Sequence, residues 1–272
     1  NPKSKILPGV PGRIPKPDPA GYIVKMILAA ILSVGDELTL GLVADRNAPF
    51  LAAGLAALGA EVTGIRTAPD RAEAIAAALE ESSAGSEVVL VTGGLGPTAD
   101  DVTREAAARW AGVELREDPV ERARLERRWA VRGTPLPSSN LRQARFPAGS
   151  RVLANPAGTA PGFALERRGT LALVFPGVPA EAEAMFLAHA APLLAGRIGG
   201  AVVRTRLLRT FGEAESVVGE RLADLMAEGR EPGVGTIVEG GVVTVRVTSR
   251  APSGSEADAR LSAAAQEIRR RL

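Results

Sequence analysis

The chain contains no cysteine, which excludes disulfides, thiolate metal sites and a cysteine nucleophile. Lysine is confined to one end: Lys3, Lys5, Lys16 and Lys25 all precede Met26, and none follows it. The body of the chain therefore offers no P-loop lysine, no Schiff-base amine and no lysine general base. His189 is the sole histidine, so a histidine metal cluster is excluded too. Aromatic residues amount to 3%, too few for base-stacking platforms. No apolar stretch approaches the roughly 20 residues that a membrane span requires.

What is present is ample for a core. Hydrophobic residues are 46% of 272, enough for one large domain or for a main domain with a small companion. The formal charge is +2, from 33 basic and 31 acidic residues, and this balance gives no reason to expect a nucleic-acid partner. Residues 1–25 hold five of the basic residues and one of the acidic, together with Pro2, Pro8, Pro11, Pro15, Pro17 and Pro19. That is linker composition, so this leader is expected to be disordered or not native, with the folded part starting at Met26. The apolar run from Met26 to Val34 passes straight into Asp36 and Glu37 with no small-residue cleavage region, unlike a secretory signal. The expectation is a cytoplasmic protein with no membrane partner.

Ile27–Val34 reads as a buried strand closed by Gly35, and Asp45–Leu58 as a helix ended by Gly59. Glu61–Arg66 is the next expected strand, Arg71–Glu81 a helix, Val88–Thr92 a short β-branched strand, and Asp101–Ala111 a helix. This alternation predicts an α/β fold with a doubly wound, mostly parallel sheet. Arginine-rich helical stretches at Val120–Val131 and Ser139–Arg145 precede strands at Val152–Leu153, Gly162–Glu166 and Leu171–Phe175, then a helix over Glu181–Leu194. Beyond Gly199 and Gly200 the pattern changes to strand (Val202–Thr210), helix (Glu213–Met226), a hairpin (Val234–Val238, Val242–Thr248) and a closing helix (Ala257–Leu272). The division predicted is an α/β domain over 26–198 and a smaller α+β domain over 199–272.

The segment richest in chemistry runs Thr92-Gly93-Gly94-Leu95-Gly96-Pro97-Thr98-Ala99-Asp100-Asp101, between a strand and a helix. Its glycines let backbone N–H groups approach a ligand, and the helix that follows adds the positive end of its dipole, so a phosphate is favoured. Asp100 and Asp101 can cap that helix, or serve as hard oxygen ligands to Mg²⁺ held with substrate phosphates; Thr98 and Thr103 add hydroxyls. Residues 94–99 also fit a G-x-G-x-x-A dinucleotide pattern, with Glu114 or Glu117 at the distance of a ribose partner. Pro97 removes a donor, however, and paired aspartates repel a pyrophosphate unless a cation intervenes. Metal-assisted phosphate binding fits better than a nicotinamide site.

Three further stretches are candidates. Gly35-Asp36-Glu37 ends the first strand, where ligands sit in open α/β sheets; its carboxylates either join a metal site or cap the loop. Of Asp45 and Asn47, at least one is expected to cap the helix that follows. Asn155 to Gly162 offers glycines with Asn155 and Thr159 as polar contacts, and Glu181 either caps its helix or reaches the site. His189, with no G-x-S-x-G elbow nearby, reads as a surface or partly packed residue. The arginines at 122–132 read as a solvated helix face, from which one could clamp a phosphate, and Arg269 to Arg271 as a complement to the helix dipole.

Taken together, Ile31 to Leu38 with Gly41, Asp45 and Asn47, Thr92 to Thr103, Ser139-Asn140 with Gln143-Ala144, Asn155 to Phe163, and Pro176 to Glu181 resemble the N-terminal half of the CinA family of competence/damage-inducible proteins. That half shares the molybdopterin-binding fold of the MoaB and MogA proteins. Arg209 to Gly212 with Glu215 and Ser216 resembles the opening of the family's small domain. The resemblance implies a homodimer or higher homo-oligomer and a divalent-metal-dependent ADP-ribose pyrophosphatase acting on a nucleotide-like small molecule. It implies Asp101 as the main metal or catalytic carboxylate, and Gly93, Gly94, Gly96 and Thr98 as holding the ligand with Asn155, Thr159 and Gly162 as neighbours. The residues themselves add Asp100 to the metal, Asp36 and Glu37 to the catalytic carboxylates, and Thr92 and Glu181 to the ligand contacts. Asp36 departs from the threonine usual in the CinA pattern and looks more like the molybdopterin-side G-D-E-L, which keeps open a non-catalytic pterin- or nucleotide-binding module. The nicotinamide-nucleotide amidohydrolase domain of long family members is not matched by this sequence, so that activity is not expected.

Overall fold

A computed structural model of the chain describes residues 27–197 and 202–272. The expected leader at 1–25, and the expected boundary at 198/199, fall outside the described residues. The chain forms two compact units, a larger one built on Ile27–Leu55 and Ala60–Leu194 and a smaller one on Ala195–Leu272.

In the larger unit the elements follow in the order β1 (Leu28–Val34), a one-turn α1 (Asp36–Thr39), α2 (Asn47–Ala57), β2 (Glu61–Ala68), α3 (Ala72–Ser83), β3 (Val88–Thr92) and α4 (Thr103–Ala111). Then come β4 (Leu115–Glu117), α5 (Pro119–Val131), a 3₁₀ segment (Ser138–Ala144), β5 (Arg145–Pro147), β6 (Arg151–Leu153), β7 (Gly162–Arg167) and β8 (Thr170–Phe175). A broken helix closes the unit: α6 (Pro179–Met185), a π turn (Phe186–Ala190) and α7 (Ala191–Ala195).

The main sheet has the order β2-β1-β3-β8-β7-β6. The first four strands are parallel, and β7 and β6 add antiparallel pairs at one side. β1, β3 and β8 are buried along almost their whole length, as strands covered on both faces must be. Ala30, Leu32 and Val34 pack with Ile75 and Leu79 of α3 and with Ala106, Ala107 and Trp110 of α4. Successive side chains alternate across a strand, so Ala29 and Ile31, equally buried, face the opposite layer. Gly54 of α2 meets the Phe186 ring closely, and Phe50 stacks edge-on against that ring at 5.9 Å.

Local chemistry sets the helix ends. Asp118 caps α5 by accepting from the N–H groups of Val120 and Glu121, with Pro119 in the first turn. Gly112 ends α4 in the left-handed conformation. The helix expected over 181–194 is interrupted by its π turn, and the short antiparallel pair β4–β5 was not foreshadowed by the hydrophobic pattern.

The smaller unit comprises β9 (Val202–Thr210), α8 (Glu215–Leu222), β10 (Gly233–Glu239), β11 (Val242–Ala251) and α9 (Gly254–Arg271). Its antiparallel sheet has the order β10-β11-β9. Val243, Val245 and Val247 on one face of β11 pack with Val218, Leu222, Leu261 and Ile268. Ser253 starts α9 by accepting from the Glu256 N–H, and the buried residues Ala257, Leu261, Ala265 and Ile268 form one stripe of that helix.

Candidate functional site

The sheet order defines where a ligand can sit. β1 has β2 on one side and β3 on the other, so the chain winds in opposite directions from β1. The carboxyl ends of β1 and β3 flank the crevice that such a switch point creates. Gly35 follows β1, and Gly93 and Gly94 follow β3, which brings two sequence-predicted stretches together there. The turn after β8 joins them: the Gly93 N–H donates to the Phe175 carbonyl at 3.1 Å, and Gly177 abuts the Gly93 Cα. Asn47 fastens that turn to α2 by donating to the Gly177 carbonyl at 2.8 Å.

Glycine is obligatory at two positions of the loop. Gly93 has φ 103° and Gly94 φ 65°, a pair of left-handed residues that L side chains rarely adopt. A Cβ on Gly93 would overlap the Val34 carbonyl oxygen, and one on Gly94 would overlap the Thr103 hydroxyl. Thr103 closes the loop from the helix side, donating its hydroxyl to the Gly93 carbonyl at 2.9 Å. Thr92 is buried within β3 opposite Phe175 and positions this start of the loop through the backbone.

Asp101 is the organiser of the other half. One carboxylate oxygen accepts from the Gly96 N–H at 2.7 Å; the other accepts from the Thr98 N–H at 2.8 Å and the Thr98 hydroxyl at 2.5 Å. It does not cap α4, nor does Asp100: the N-cap is Val102, and no side chain bonds there. The reason is direction, since both Asp101 oxygens face back into the loop. Asp100 is exposed at the loop tip. Among the described residues the N–H groups of Gly94 and Leu95 have no partner, so the glycine half of the loop keeps donors for a ligand anion.

Acidic groups line the neighbouring turn. The Asp36 N–H donates to the Asp70 carboxylate at 2.8 Å, and the Asp70 N–H donates to the Asp36 carboxylate at 3.0 Å. The Glu37 carboxylate folds back against Gly35. Burial raises the Asp70 carboxyl above its ordinary value; the Asp36 backbone bond opposes this, while the charges of Asp36, Glu37 and Asp100 add to it. Asp70 is the acidic residue that the hydrophobic pattern concealed, because it sits in the loop after β2 and a lone aspartate there looks like a turn residue.

Among the described residues no three acidic or histidine side chains form a ready-made metal cage. Mg²⁺ needs only one or two carboxylates, completing its shell with phosphate oxygens and water, so a pair of these acids is the most this turn offers such an ion. The charges of Asp36, Glu37 and Asp100 each act on Asp70, and all four are hard oxygen donors.

Two arginines missed in the sequence hold the loop. Arg142, from the 3₁₀ segment, donates to the Thr98 carbonyl at 2.5 Å, the Asp101 carbonyl at 3.3 Å and the Glu105 carboxylate at 3.0 Å. Arg104, in the first turn of α4, is 2% exposed and donates to the Leu95 carbonyl at 2.9 Å. Burial pushes its guanidinium down to about 10, so it stays charged at neutral pH.

The loop at 155–162 is closed on itself. The Asn155 amide donates to the Ala160 carbonyl and the Glu181 carboxylate, and its oxygen accepts from the N–H groups of Ala157 and Gly158. Glu181 therefore reaches this loop and does not cap α6. Thr159 presents its carbonyl to Arg124, and Gly158 its carbonyl to Arg128. Those two arginines correct the expectation of a plain solvated face on α5; Arg122 alone pairs outward, with Glu117 and Glu126. Gly162 begins β7 where a Cβ would overlap the Val174 carbonyl oxygen. His189 lies apart from the glycine loop, bonded to the Ala154 carbonyl at 2.8 Å. Asp45 caps α2 as expected, accepting from the N–H groups of Asn47 and Ala48.

This is an α/β domain with its glycine loop at a sheet switch point, followed by a small α+β unit, and sequence comparison gives the class a label. Residues 30–196 match the family model described as "Probable molybdopterin binding domain", and residues 205–272 match that of the "Damage-inducible protein CinA KH domain". A competence-damage inducible protein of Symbiobacterium thermophilum is 40% identical over 249 residues, covering 90% of this chain and 58% of that protein. A CinA-like protein of Thermomicrobium roseum is 38% identical over 244 residues, covering 90% of this chain and 60% of that one. The crystal structure of a CinA protein of unknown function from Thermoplasma acidophilum aligns with TM-score 0.58 at 32% identity, over 62% of this chain and 98% of that chain. The chain belongs to the CinA family, and it spans about 60% of the length of these curated relatives. Among the described residues no helix is long and apolar enough to cross a membrane.

Proposed function

We propose that the larger unit is a divalent-metal-dependent hydrolase that cleaves the pyrophosphate of ADP-ribose or a related nucleotide. The observation that carries this reading is the pairing of an amide-lined glycine loop with the carboxylates of Asp36, Asp70, Glu37 and Asp100 at one switch point. The loop amides of Gly94 and Leu95 would receive a phosphate, and Asp36 and Asp100 would hold Mg²⁺ beside it, which leaves Asp70 free for proton transfer. The metal, when bound, supplies charge neutralisation and a polarised phosphoryl oxygen. Asp101, which the resemblance makes the main metal or catalytic carboxylate, spends both oxygens on the Gly96 and Thr98 donors, and this reading gives it the task of ordering the loop instead. Water adds across the P–O–P bridge of ADP-ribose, giving AMP and ribose 5-phosphate, with the water oxygen retained on one phosphate. Asp70, whose carboxyl is held above its usual range, is the group best suited to accept a proton from that water.

The test is hydrolysis of ADP-ribose by the purified chain across Mg²⁺, Mn²⁺ and Co²⁺, followed by product chromatography. Absence of turnover with every metal would sink this reading, as would full activity in Asp70→Ala.

A second reading is favoured by the description of the matching family model: a module that binds a pterin without turning it over. Mass spectrometry of ligand released from the native protein separates the two, since a pterin supports this reading and a nucleotide the first.

A further inference from the structure

Arg104 presents a physical puzzle. It is a cation with 2% exposure, in the first turn of α4, with its Nε lacking any partner and, among the described residues, no carboxylate in ion-pairing contact. Taking a guanidinium out of water with no carboxylate paired to it works against the fold, so its place there calls for another reason. The site is not built for its own stability.

Its one strong hydrogen bond shows what it does. Arg104 Nη2 donates to the Leu95 carbonyl at 2.9 Å, and the N–H on the other side of that same amide, Gly96 N–H, donates to Asp101 Oδ1 at 2.7 Å. In a trans amide the carbonyl and N–H point opposite ways, so a cation pulls on one end and an anion on the other. Each bond polarises the amide in the sense that strengthens the other. The Phe146 ring lies 5.8 Å from the guanidinium and walls it off from water, which keeps the pull strong.

We infer that Arg104 is a positioning residue, locking the Leu95–Gly96 amide through an Arg104–amide–Asp101 relay so that the glycine loop presents N–H groups to a phosphate. Without the cation, the glycine at 96 lets the amide rotate. The Leu95 carbonyl would then turn toward the ligand side, where it repels a phosphate, and Asp101 would lose one of its three donors. The inference rests on the phosphate-loop reading for its consequence in turnover, but the relay itself is observable without any ligand.

Hydrogen exchange of individual backbone amides, read by ¹⁵N NMR on the full chain, tests it. Gly96 is the reporter, and Gly93, bonded to Phe175 instead, is the internal reference. In Arg104→Met, Gly96 exchange is expected to accelerate at least about tenfold while Gly93 is unchanged. Arg104→Lys keeps the charge without the planar fork and falls between the two. ADP-ribose turnover with Mg²⁺ should lose about a hundredfold in kcat in the methionine variant, with partial recovery in the lysine variant. Unchanged Gly96 exchange in the methionine variant overturns the inference, as does equal acceleration at Gly93 and Gly96, which is general loosening. If the methionine variant does not fold, the lysine variant decides on the same two amides. If wild type shows no turnover at all, the pyrophosphatase reading fails while the amide readout still decides the relay.

Discussion

Two loops of the larger unit use the same materials to opposite ends. The loop at 92–101 and the loop at 155–162 each combine glycines, one organising carboxyl or amide side chain and a pair of arginines. In the second, Asn155 engages two donors and two acceptors, and Arg124 and Arg128 take the carbonyls of Thr159 and Gly158. In the first, Asp101 and the arginines fix only the far half, and the Gly94 and Leu95 amides keep no partner among the described residues. The loop tied down by Asn155, Glu181 and two arginines serves as the wall, although its Thr159 and Ala160 N–H groups also lack partners among the described residues; the loop at the switch point is the one proposed as the receptor. The difference lies in where each loop sits, one after β3 at the switch point and the other between β6 and β7, and residue composition does not reveal it.

The sharpest way to break the comparison is to add one methyl group to each loop. Gly93→Ala places a Cβ on the Val34 carbonyl oxygen at a residue with φ 103°, and neither the strand backbone nor the dihedral can yield. The expected cost is at least about 3 kcal/mol of stability, with loss of nucleotide binding. Gly158→Ala meets the end of the Glu181 side chain, which can swing aside. Its cost should be about 1 kcal/mol, the value of the bond between Glu181 and Asn155. Urea unfolding of both variants checks this, and equal losses would show that the second loop is as rigidly framed as the first.

Asp101→Asn and Glu181→Gln sharpen the same contrast at the side chains. The asparagine amide would face the Thr98 or Gly96 N–H, donor against donor, so one loop bond must be lost. Turnover of ADP-ribose should fall about a hundredfold. Glutamine at 181 still offers an oxygen to Asn155, and kcat and KM should remain within about threefold of wild type, below ~1 kcal/mol. Similar losses in both would erase the distinction between receptor and wall.

How much of this was legible before the structure follows from the same distinction. The sheet strands announced themselves because β1, β3 and β8 are short runs, apolar on both faces, with glycine or a turn close behind each. Gly93, Gly94 and Asp101 stood out because glycine density and paired acids are local signals. Arg104 and Arg142 did not, since arginine in helical stretches looks solvated unless one knows which face is turned inward. Asp70 was invisible for a related reason: its significance is the company of Asp36, Glu37 and Asp100, residues 34, 33 and 30 positions away in a chain folded to bring them close. The capping roles considered for Asp100, Asp101 and Glu181 failed because a helix start tells where a carboxylate is, and not which way it points.

The smallest expected effect concerns that acidic company, where the two halves of the crevice meet. The Asp70 carboxyl is raised above its ordinary 3.8, first by burial and then by its acidic neighbours. A carboxyl whose folded value exceeds its unfolded value binds protons more readily when folded, so its ionisation weakens the fold as pH rises through the folded value. Asp70→Asn removes that charge while its amide oxygen can still accept from the Asp36 N–H. The variant should therefore melt slightly above wild type near neutral pH, and the gain should vanish on acidification, once Asp70 in wild type is protonated too. Millimolar Mg²⁺ should shrink the gain at neutral pH, because a cation held by Asp36 and Asp100 beside Asp70 relieves in wild type the repulsion that the substitution abolishes. Thermal melts of both proteins from about pH 7 to about pH 3, with and without Mg²⁺, measure all of this. A variant that melts lower at neutral pH would mean that the Asp70 charge stabilises the turn, and a gain indifferent to Mg²⁺ would place the cation elsewhere.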